Sequence, residues 1–294
     1  MHLERGRIVK GVGGLYTVAV GGARYTCVAR GLFRKQKATP LIGDIVDIQI
    51  LDEAKLEGCL HTLITRRNEL IRPKSANIDL ALVVFAASNP VIQPDLLDSF
   101  LLSCERQNVD AAICINKTDL QLAETADDFD AFVAEYRMAG YPILCVSAEE
   151  HKGIDELQAL VQGKTVIFAG PSGVGKSSLI NALLPEAQME TGELSKKLAR
   201  GKHTTRHTEL LQVNDDTFIV DSPGFSSLGV TDIKAEDLPS LYPEIRQYIG
   251  QCFYNDCMHV SEPDCAIRAH LGDTIGTARY NRYISFLEKI KDAR

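Results

Sequence analysis

The stretch that decides the fold is Gly170-Pro171-Ser172-Gly173-Val174-Gly175-Lys176-Ser177, which Ser178 follows. It matches the P-loop pattern GxxxxGK[ST], and it lies between an apolar run at 165–169 and a helical pattern that begins near Lys176. In such a loop the glycines let backbone N–H groups turn around a β-phosphate, and the helix N-terminus adds its dipole. We expect Lys176 to neutralise β/γ oxygens and Ser177 to hold Mg²⁺. The pattern therefore predicts a nucleoside triphosphate site without choosing the base.

Apolar runs alternate with amphipathic segments on the N-terminal side of this loop. The runs lie at 80–87, 111–115, 142–146 and 165–169. The segments between them, such as 95–107 and 125–139, have helical length and spacing. Continuous apolar runs are typical of parallel strands that helices cover on both faces. The pattern predicts an α/β domain of the doubly wound type.

A base-reading motif, Asn116-Lys117-Thr118-Asp119, directly follows the run at 111–115. The Asp119 carboxylate can accept hydrogen bonds from guanine N1–H and the 2-amino group, whereas adenine would leave it unpaired. We expect Asn116 to tether neighbouring loops and the Lys117 stem to cover a ring face. Ser147-Ala148 ends the next run, where a backbone N–H can meet guanine O6. Together with the P-loop, these motifs select guanine.

The order of the motifs along the chain is rotated relative to most GTPases. The base reader and Ser147-Ala148 precede the P-loop, and Asp221-Ser222-Pro223-Gly224, of DxxG form, follows it. We expect Asp221 to reach Mg²⁺ through water and the Gly224 N–H to sense the γ-phosphate. The set is complete and circularly permuted. The rotation puts the γ-phosphate-sensing segment next to a C-terminal region, while the N-terminal region enters at the base-reading end.

Residues 1–70 have the pattern of a small β-barrel. Short alternating runs at 7–10, 15–20, 24–29 and 44–50 are separated by glycine-rich turns, which fits a five-stranded OB-like barrel. Residues 1–74 carry 13 Lys+Arg and 7 Asp+Glu, a balance of +6, and the rest of the chain carries −13, which together give the net charge of −7. A basic barrel on an acidic body can bind phosphate locally. A solvated surface with chance asymmetry is the alternative.

The segment 192–207, between the P-loop and DxxG, is polar and basic, with five Lys/Arg and one Glu. It is typical of a switch loop in which Thr204 or Thr205 coordinates Mg²⁺; we favour Thr205. Phe225 stands where a Ras-like enzyme has the glutamine that orients water, which predicts slow hydrolysis by the free protein. His203 is the candidate for the missing function. An ordinary solvated loop, with a histidine that is solvated or contacts RNA, is the alternative.

Four potential metal ligands cluster near the C-terminus: Cys252, Cys257, His259 and Cys265. Three thiolates and an imidazole are a usual tetrahedral set for structural Zn²⁺. A region of about sixty residues has a small hydrophobic core, and a bound metal ion can supply the stability that such a core lacks. We therefore expect one structural zinc ion per chain, with a redox-active cluster as the alternative.

The chain resembles the RsgA (YjeQ/YloQ) family of circularly permuted GTPases over nearly its whole length. The resemblance rests on three features: the order of the motifs, the metal cluster and the stretch Gly201-Lys202-His203-Thr204-Thr205. Arg206 stands where the family usually has a third threonine. The resemblance implies binding to the small ribosomal subunit and its rRNA late in maturation. It also implies GTP hydrolysis to GDP and phosphate that the subunit stimulates.

Three domains are expected: a barrel at 1–70, the permuted GTPase domain at 71–235 and a mostly helical zinc-binding domain at 236–294. Without an apolar run of about 20 residues or a signal-peptide pattern, the sequence predicts a cytoplasmic protein, which we expect to be monomeric and off the membrane. A regulatory GTPase that acts on a protein partner without RNA contact is the second hypothesis. A P-loop kinase is the third.

Overall fold

The computed structural model describes residues 3–29, 39–120, 126–184, 208–225 and 230–293. These residues belong to two compact units. Unit 1 comprises Met1–Ala81, Ile154–Ala169 and Lys176–Ser226, and unit 2 comprises Leu82–Gly153, Gly170–Gly175 and Ser227–Arg294. Among the described residues, no helix combines the length and the hydrophobicity that crossing a bilayer requires.

The strands are numbered in chain order. They are β1 (Leu3–Val12), β2 (Leu15–Val20), β3 (Ala23–Ala29), β4 (Ile45–Asp52), β5 (Glu57–Leu63), β6 (Glu69–Leu70), β7 (Ser75–Ala76), β8 (Leu80–Ala86), β9 (Asp110–Asn116), β10 (Ile143–Cys145), β11 (Thr165–Ala169), β12 (Glu209–Gln212) and β13 (Phe218–Phe225). The α-helices are α1 (Pro94–Arg106), α2 (Ala126–Met138), α3 (Ile154–Val161), α4 (Lys176–Leu183), α5 (Pro243–Arg246), α6 (Ala266–Ala269) and α7 (Thr277–Asp292). Short 3₁₀ helices span Thr118–Leu120, Val230–Asp232 and Leu238–Leu241.

The N-terminal part of unit 1 is a closed five-stranded barrel. Its strands pair in the order β1-β2-β3-β5-β4, and β4 returns to pair with β1. Apolar side chains that alternate along the strands fill the interior: Ile8, Val18, Tyr25, Cys27, Val46, Ile48 and Leu60. The barrel prediction is confirmed. The fifth strand β5, parallel to β3, mixes Glu57, His61 and Thr62 with Gly58 and so lacks a regular apolar alternation, which is why the sequence did not reveal it.

Unit 1 also contains the strand that leads to the P-loop. β11 pairs in parallel with β13, β13 pairs antiparallel with β12, and β12 pairs antiparallel with the barrel strand β1. All five residues of β11 are buried, as its apolar sequence predicts. The barrel and the strand that bears the DxxG motif therefore belong to one continuous set of paired strands.

The sheet of unit 2 has the order β10-β9-β8, and β9 and β10 run parallel. The predicted helices at 95–107 and 125–139 correspond to α1 and α2. In the C-terminal region, α7 packs with short helices and with Leu102 of α1 around an apolar cluster. The expected C-terminal helix is confirmed, but helices make up slightly less than half of the described residues 236–293, so the region is less helical than predicted.

A buried ion-pair network joins α7 to α1, α2 and α5. Arg279, 1% exposed, binds Asp98 of α1 and Glu244 of α5, which are 1% and 3% exposed. Arg282 binds Asp98 and, at 3.1 Å, Glu135 of α2. Such charges are tolerable in a core because each has an opposite partner and several hydrogen bonds. The network fixes the C-terminal helix on the helices that flank β9.

Replacing Arg279 with methionine should lower the free energy of unfolding by about 3–5 kcal/mol, because it leaves the buried Glu244 without its cationic partner and Asp98 with Arg282 alone. Urea unfolding followed by far-UV circular dichroism measures this change. Lys289→Met on the same helix is the control, because its pair with Asp95 is more than half exposed on both sides and contributes below about 1 kcal/mol. Equal unfolding midpoints for the two variants would contradict the assigned role of Arg279.

Candidate functional site

The buried side chain of Asn116, 2% exposed, ties together three loops of unit 2. Its Nδ2 donates to the Val174 carbonyl in the P-loop at 2.9 Å, and its Oδ1 accepts the Ala148 N–H at 3.1 Å. Both contacts use the amide's complementary donor and acceptor, which a carboxylate could not supply. The predicted tether is therefore present between the base-reading motif, Ser147-Ala148 and the P-loop.

The carboxylate of Asp119 is oriented by Ser147. Ser147 is fully buried, and its hydroxyl donates to Asp119 Oδ1 at 2.6 Å. The same Ser147 oxygen accepts the Glu150 N–H at 3.1 Å, which fixes the direction of the hydroxyl. Thr118 holds the adjacent backbone by donating its hydroxyl to the Val146 carbonyl at 3.1 Å. The geometry presents a pre-oriented acceptor at the carboxyl ends of β9 and β10.

Lys117 has a partner that the sequence did not predict. Its ammonium donates to the Asn89 carbonyl at 2.8 Å, in the loop after β8. Lys117 itself has a positive φ of 61°, which turns its side chain away from the direction of the preceding strand. The loop after β8 thus steadies the lysine that is expected to cover the base.

Three glycines of the P-loop have positive φ, and at two of them a side chain would collide with a neighbouring segment. Gly170 has φ +128°, and an added Cβ would collide with the Val84 carbonyl; Gly175 has φ +93°, and an added Cβ would collide with Asn116 Nδ2. Val174 is fully buried, while Pro171 is half-buried and Ser172 and Gly173 are exposed. The loop therefore lies close to β8 and the base reader, with its tip open to solvent.

The remaining motif residues belong to unit 1. Lys176 is the first residue of α4, and burial lowers the pKa of its ammonium group, a shift that a bound phosphate would oppose. Ser177 and Ser178 occupy the exposed first turn of the same helix. The backbone of Asp221 and Gly224 lies on β13. His203, Thr204 and Thr205 lie outside the described residues.

The four predicted metal ligands converge. One ligand atom each from Cys252, Cys257, His259 and Cys265 lies within 4.8 Å of the others. His259 Nδ1 is 3.5 Å from the sulfurs of both Cys252 and Cys265, which are 3.9 Å apart. Tetrahedral Zn–S and Zn–N bonds of about 2.0–2.3 Å require ligand separations of this size. The cluster can hold a metal ion, and its donor set is consistent with zinc.

Burial shifts the pKa values of Cys257 and His259 toward their neutral forms. Burial raises the pKa of the Cys257 thiol to about 12, and burial lowers the pKa of His259, which favours the neutral imidazole that binds metals. Packing four such groups together without a cation leaves thiols with poor partners. A divalent cation would stabilise the thiolates.

The loop that carries Cys257 and His259 is shaped by residues that the sequence did not single out. The Glu262 carboxylate accepts the N–H groups of Met258, Val260 and Ser261 at 2.8–3.0 Å. Burial alone would raise the pKa of Glu262, but these bonds and its own N–H lower it to about 2. Glu262 therefore stays ionised and holds the loop closed.

Two tyrosines of α7 complete the support of this loop. Tyr280 and Tyr283 donate their hydroxyls to the carbonyls of His259 and Met258, each at 2.7 Å. Their spacing of three residues places them on one helix face. That spacing was the available sequence signal, but it equally fits ordinary core packing.

The comparisons with known proteins agree with this geometry. A family model described as RsgA GTPase matches residues 63–231, and one described as RsgA N-terminal domain matches residues 5–58. A protein of Agathobacter rectalis named small ribosomal subunit biogenesis GTPase RsgA is 44% identical, over 98% of both chains. A protein of the same name from Alkaliphilus metalliredigens is 41% identical, over 99% of both. These matches favour a GTPase over a P-loop kinase.

Solved structures extend the likeness to the fold. The structure described as YloQ, a circularly permuted GTPase, has a TM-score of 0.84 and 34% identity, covering 100% of this chain and 96% of its own. YjeQ from Thermotoga maritima has a TM-score of 0.84 and 31% identity, with full coverage of both chains. The prediction of a barrel, a permuted GTPase domain and a C-terminal Cys₃His region is confirmed. The chain belongs to the RsgA family of small ribosomal subunit biogenesis GTPases.

Proposed function

We propose that this GTPase binds the small ribosomal subunit and hydrolyses GTP to GDP and phosphate late in the maturation of that subunit. The observation that carries the proposal is the 44% identity, over 98% of both chains, to a relative named small ribosomal subunit biogenesis GTPase RsgA. The basic balance of residues 1–74, on a chain with net charge −7, supports rRNA contact through the barrel. The same overall negative charge favours the second candidate, a regulatory GTPase with a protein partner.

The nucleotide is proposed to bind along the motif residues. Asp119 reads guanine N1–H and the 2-amino group, the Ala148 N–H meets O6, and the Lys117 stem covers a ring face. The phosphates are bound by Gly170, Pro171, Ser172, Gly173, Val174, Gly175, Lys176, Ser177 and Ser178. The tether from Asn116 to Val174, at 2.9 Å, supports simultaneous binding of base and phosphates.

Magnesium is proposed to accompany GTP. Ser177 and Thr205 coordinate it, Asp221 reaches it through water, and the Gly224 N–H senses the γ-phosphate. Phe225 cannot orient water, so the free protein hydrolyses GTP slowly. His203 is proposed to orient the attacking water when the small subunit is bound.

One structural zinc ion is proposed at Cys252, Cys257, His259 and Cys265. The four ligand positions are all taken by protein groups, which is typical of structural rather than catalytic sites. The proposal also includes three domains, at 1–70, 71–235 and 236–294. We further propose that the protein is a monomer and lies in the cytoplasm, off the membrane.

GTP turnover should rise at least about tenfold on adding purified small subunits, equivalent to about 1.4 kcal/mol of transition-state stabilisation, and less on adding large subunits. Binding to small subunits should weaken steeply with salt, because phosphate contacts release counterions.

The His203→Ala variant should lose most of the stimulation while keeping its affinity for GDP. Unchanged turnover with both subunits would reject the proposal in favour of a protein partner, and full stimulation of His203→Ala would reject the role of His203.

Asp119→Asn should lower GTP affinity by at least about 100-fold, because the amide cannot accept two hydrogen bonds from guanine. The same variant should bind xanthosine triphosphate, whose 2-oxo group accepts an amide N–H. Displacement of a fluorescent nucleotide measures both affinities. Asp110→Asn at the opposite end of β9 is the matched control and should keep wild-type GTP affinity. Retained GTP affinity in Asp119→Asn would remove Asp119 from base recognition.

Tyr283→Phe should lower zinc affinity about tenfold, because it removes the hydrogen bond that positions the Met258 carbonyl between two ligands. Competition with a chromophoric chelator measures the affinity directly. Tyr248→Phe, which removes a hydroxyl contact to Thr274 in the same region, is the control. Identical zinc affinity in the wild type, Tyr283→Phe and Tyr248→Phe would show that Tyr283 contributes to packing alone.

A further inference from the structure

The barrel strand β1 has two different partners along one of its edges. It pairs with β4 over Leu3–Arg7 and with β12 at Lys10, while β2 occupies the opposite edge. The β1–β2 register shifts between Ile8 and Lys10, directly before the residue that pairs with β12. Such bulges bend a strand and increase its twist, and they recur beside functional sites. β1 therefore passes from the barrel to the strands of the GTPase domain at this point.

Three residues stand in a row across these strands. Lys10 pairs with Glu209 of β12, and Glu209 pairs in turn with Asp221 of β13. Directly opposed residues of antiparallel strands have Cα atoms about 4.5–5.5 Å apart, so the backbones of Lys10 and Asp221 are separated by about 10 Å. The barrel strand β1 therefore lies two strand spacings from Asp221, the aspartate that is proposed to contact Mg²⁺ through water.

An ion pair reinforces this row. The Lys10 ammonium lies 3.3 Å from the Glu209 carboxylate, and the two side chains are 49% and 15% exposed. A half-exposed pair of this kind contributes little to global stability. Its effect is local: it adds a side-chain contact between β1 and β12 beside their backbone pairing.

Arg7 of β1 also contacts other strands of unit 1. Its side chain is half-buried, donates to Thr165 Oγ1 at 2.6 Å and lies 5.3 Å from the ring centre of Phe218. Asp79 accepts the Thr165 N–H at 2.8 Å. Arg7 therefore anchors β1 to the first residues of β11 and β13, three residues before Lys10.

We propose that Lys10 and Glu209 are positioning residues that transmit the state of the barrel to Asp221 and so set the rate of GTP hydrolysis. The inference rests on the proposed function, in which the barrel meets rRNA and Asp221 serves Mg²⁺. Ligand binding that shifts β1 changes the Lys10–Glu209 contact, and β12 passes the shift to its neighbour β13. Glu209 also follows the predicted switch segment 192–207 by two residues.

The test compares Lys10→Glu, Glu209→Lys and the double charge swap, using the full-length protein with saturating small subunits. Each single variant should lower the stimulated kcat about fivefold, with KM for subunits within about twofold of wild type. The swap should restore kcat to within about twofold, because it rebuilds the pair with reversed polarity. Melting temperatures within about 2 °C of wild type would exclude general destabilisation.

A second measurement needs no ribosome. The Mg²⁺ concentration for half-maximal basal hydrolysis should rise about threefold in Glu209→Lys and return in the swap. Asp47→Lys is the matched control: it breaks the 2.9 Å pair with Arg5, also on β1, but within the barrel. That control should keep both wild-type values.

The outcomes separate the inference from the proposed function. If small subunits do not stimulate the wild type, the proposed function fails, and the Mg²⁺ dependence alone decides the inference. Single variants with wild-type kcat and Mg²⁺ dependence would overturn the inference. So would a swap that fails to restore them, or an Asp47→Lys effect as large as that of Glu209→Lys.

Discussion

The loops that carry the base-reading motif, Ala148 and the P-loop in unit 2 depend on one buried amide, that of Asn116. Its two polar atoms hold the P-loop at Val174 and the loop after β10 at Ala148. Because the amide is buried, an alternative position of either loop would leave a polar atom without a partner, at a cost of about 1–3 kcal/mol. The close approach also restricts position 175 to glycine, whose missing Cβ leaves room for Asn116. Base reader and phosphate loop are therefore specified together.

Helix α7 gives the C-terminal region a comparable constraint. Tyr280 and Tyr283 bond the carbonyls of the metal-ligand loop, while Arg279 and Arg282 bind carboxylates of α1, α2 and α5. The two sets alternate along a single helix, so the metal loop and the helices that flank β9 share one rigid support. The buried arginines need all of their acidic partners, so other positions of α7 against α1, α2 and α5 would leave buried charges unpaired.

Local patterns predicted most of the fold and the ligand sets, whereas contacts between distant segments escaped prediction. The buried strands β8, β9 and β11, the helices α1 and α2, and the convergence of Cys252 with Cys265 follow from periodicity and spacing. The pairing of Lys10 with Glu209 and the burial of Arg279 join residues far apart in the chain, and nothing in their neighbours signals the partner. Glu262 was missed for a different reason: an acidic residue beside a metal motif usually indicates only a solvated loop.

Circular permutation leaves the chemistry of such a site intact, because a site at the ends of strands depends on which strand ends meet and not on their order in the chain. It does change what is attached to each strand. The motif order suggested that the barrel enters at the base-reading end, yet the register joins β1 to β12, one strand from Asp221. A barrel attached there is connected through β12 to the strand that bears Asp221. Under the proposal made above, recognition of a partner by the barrel alters GTP hydrolysis through this register.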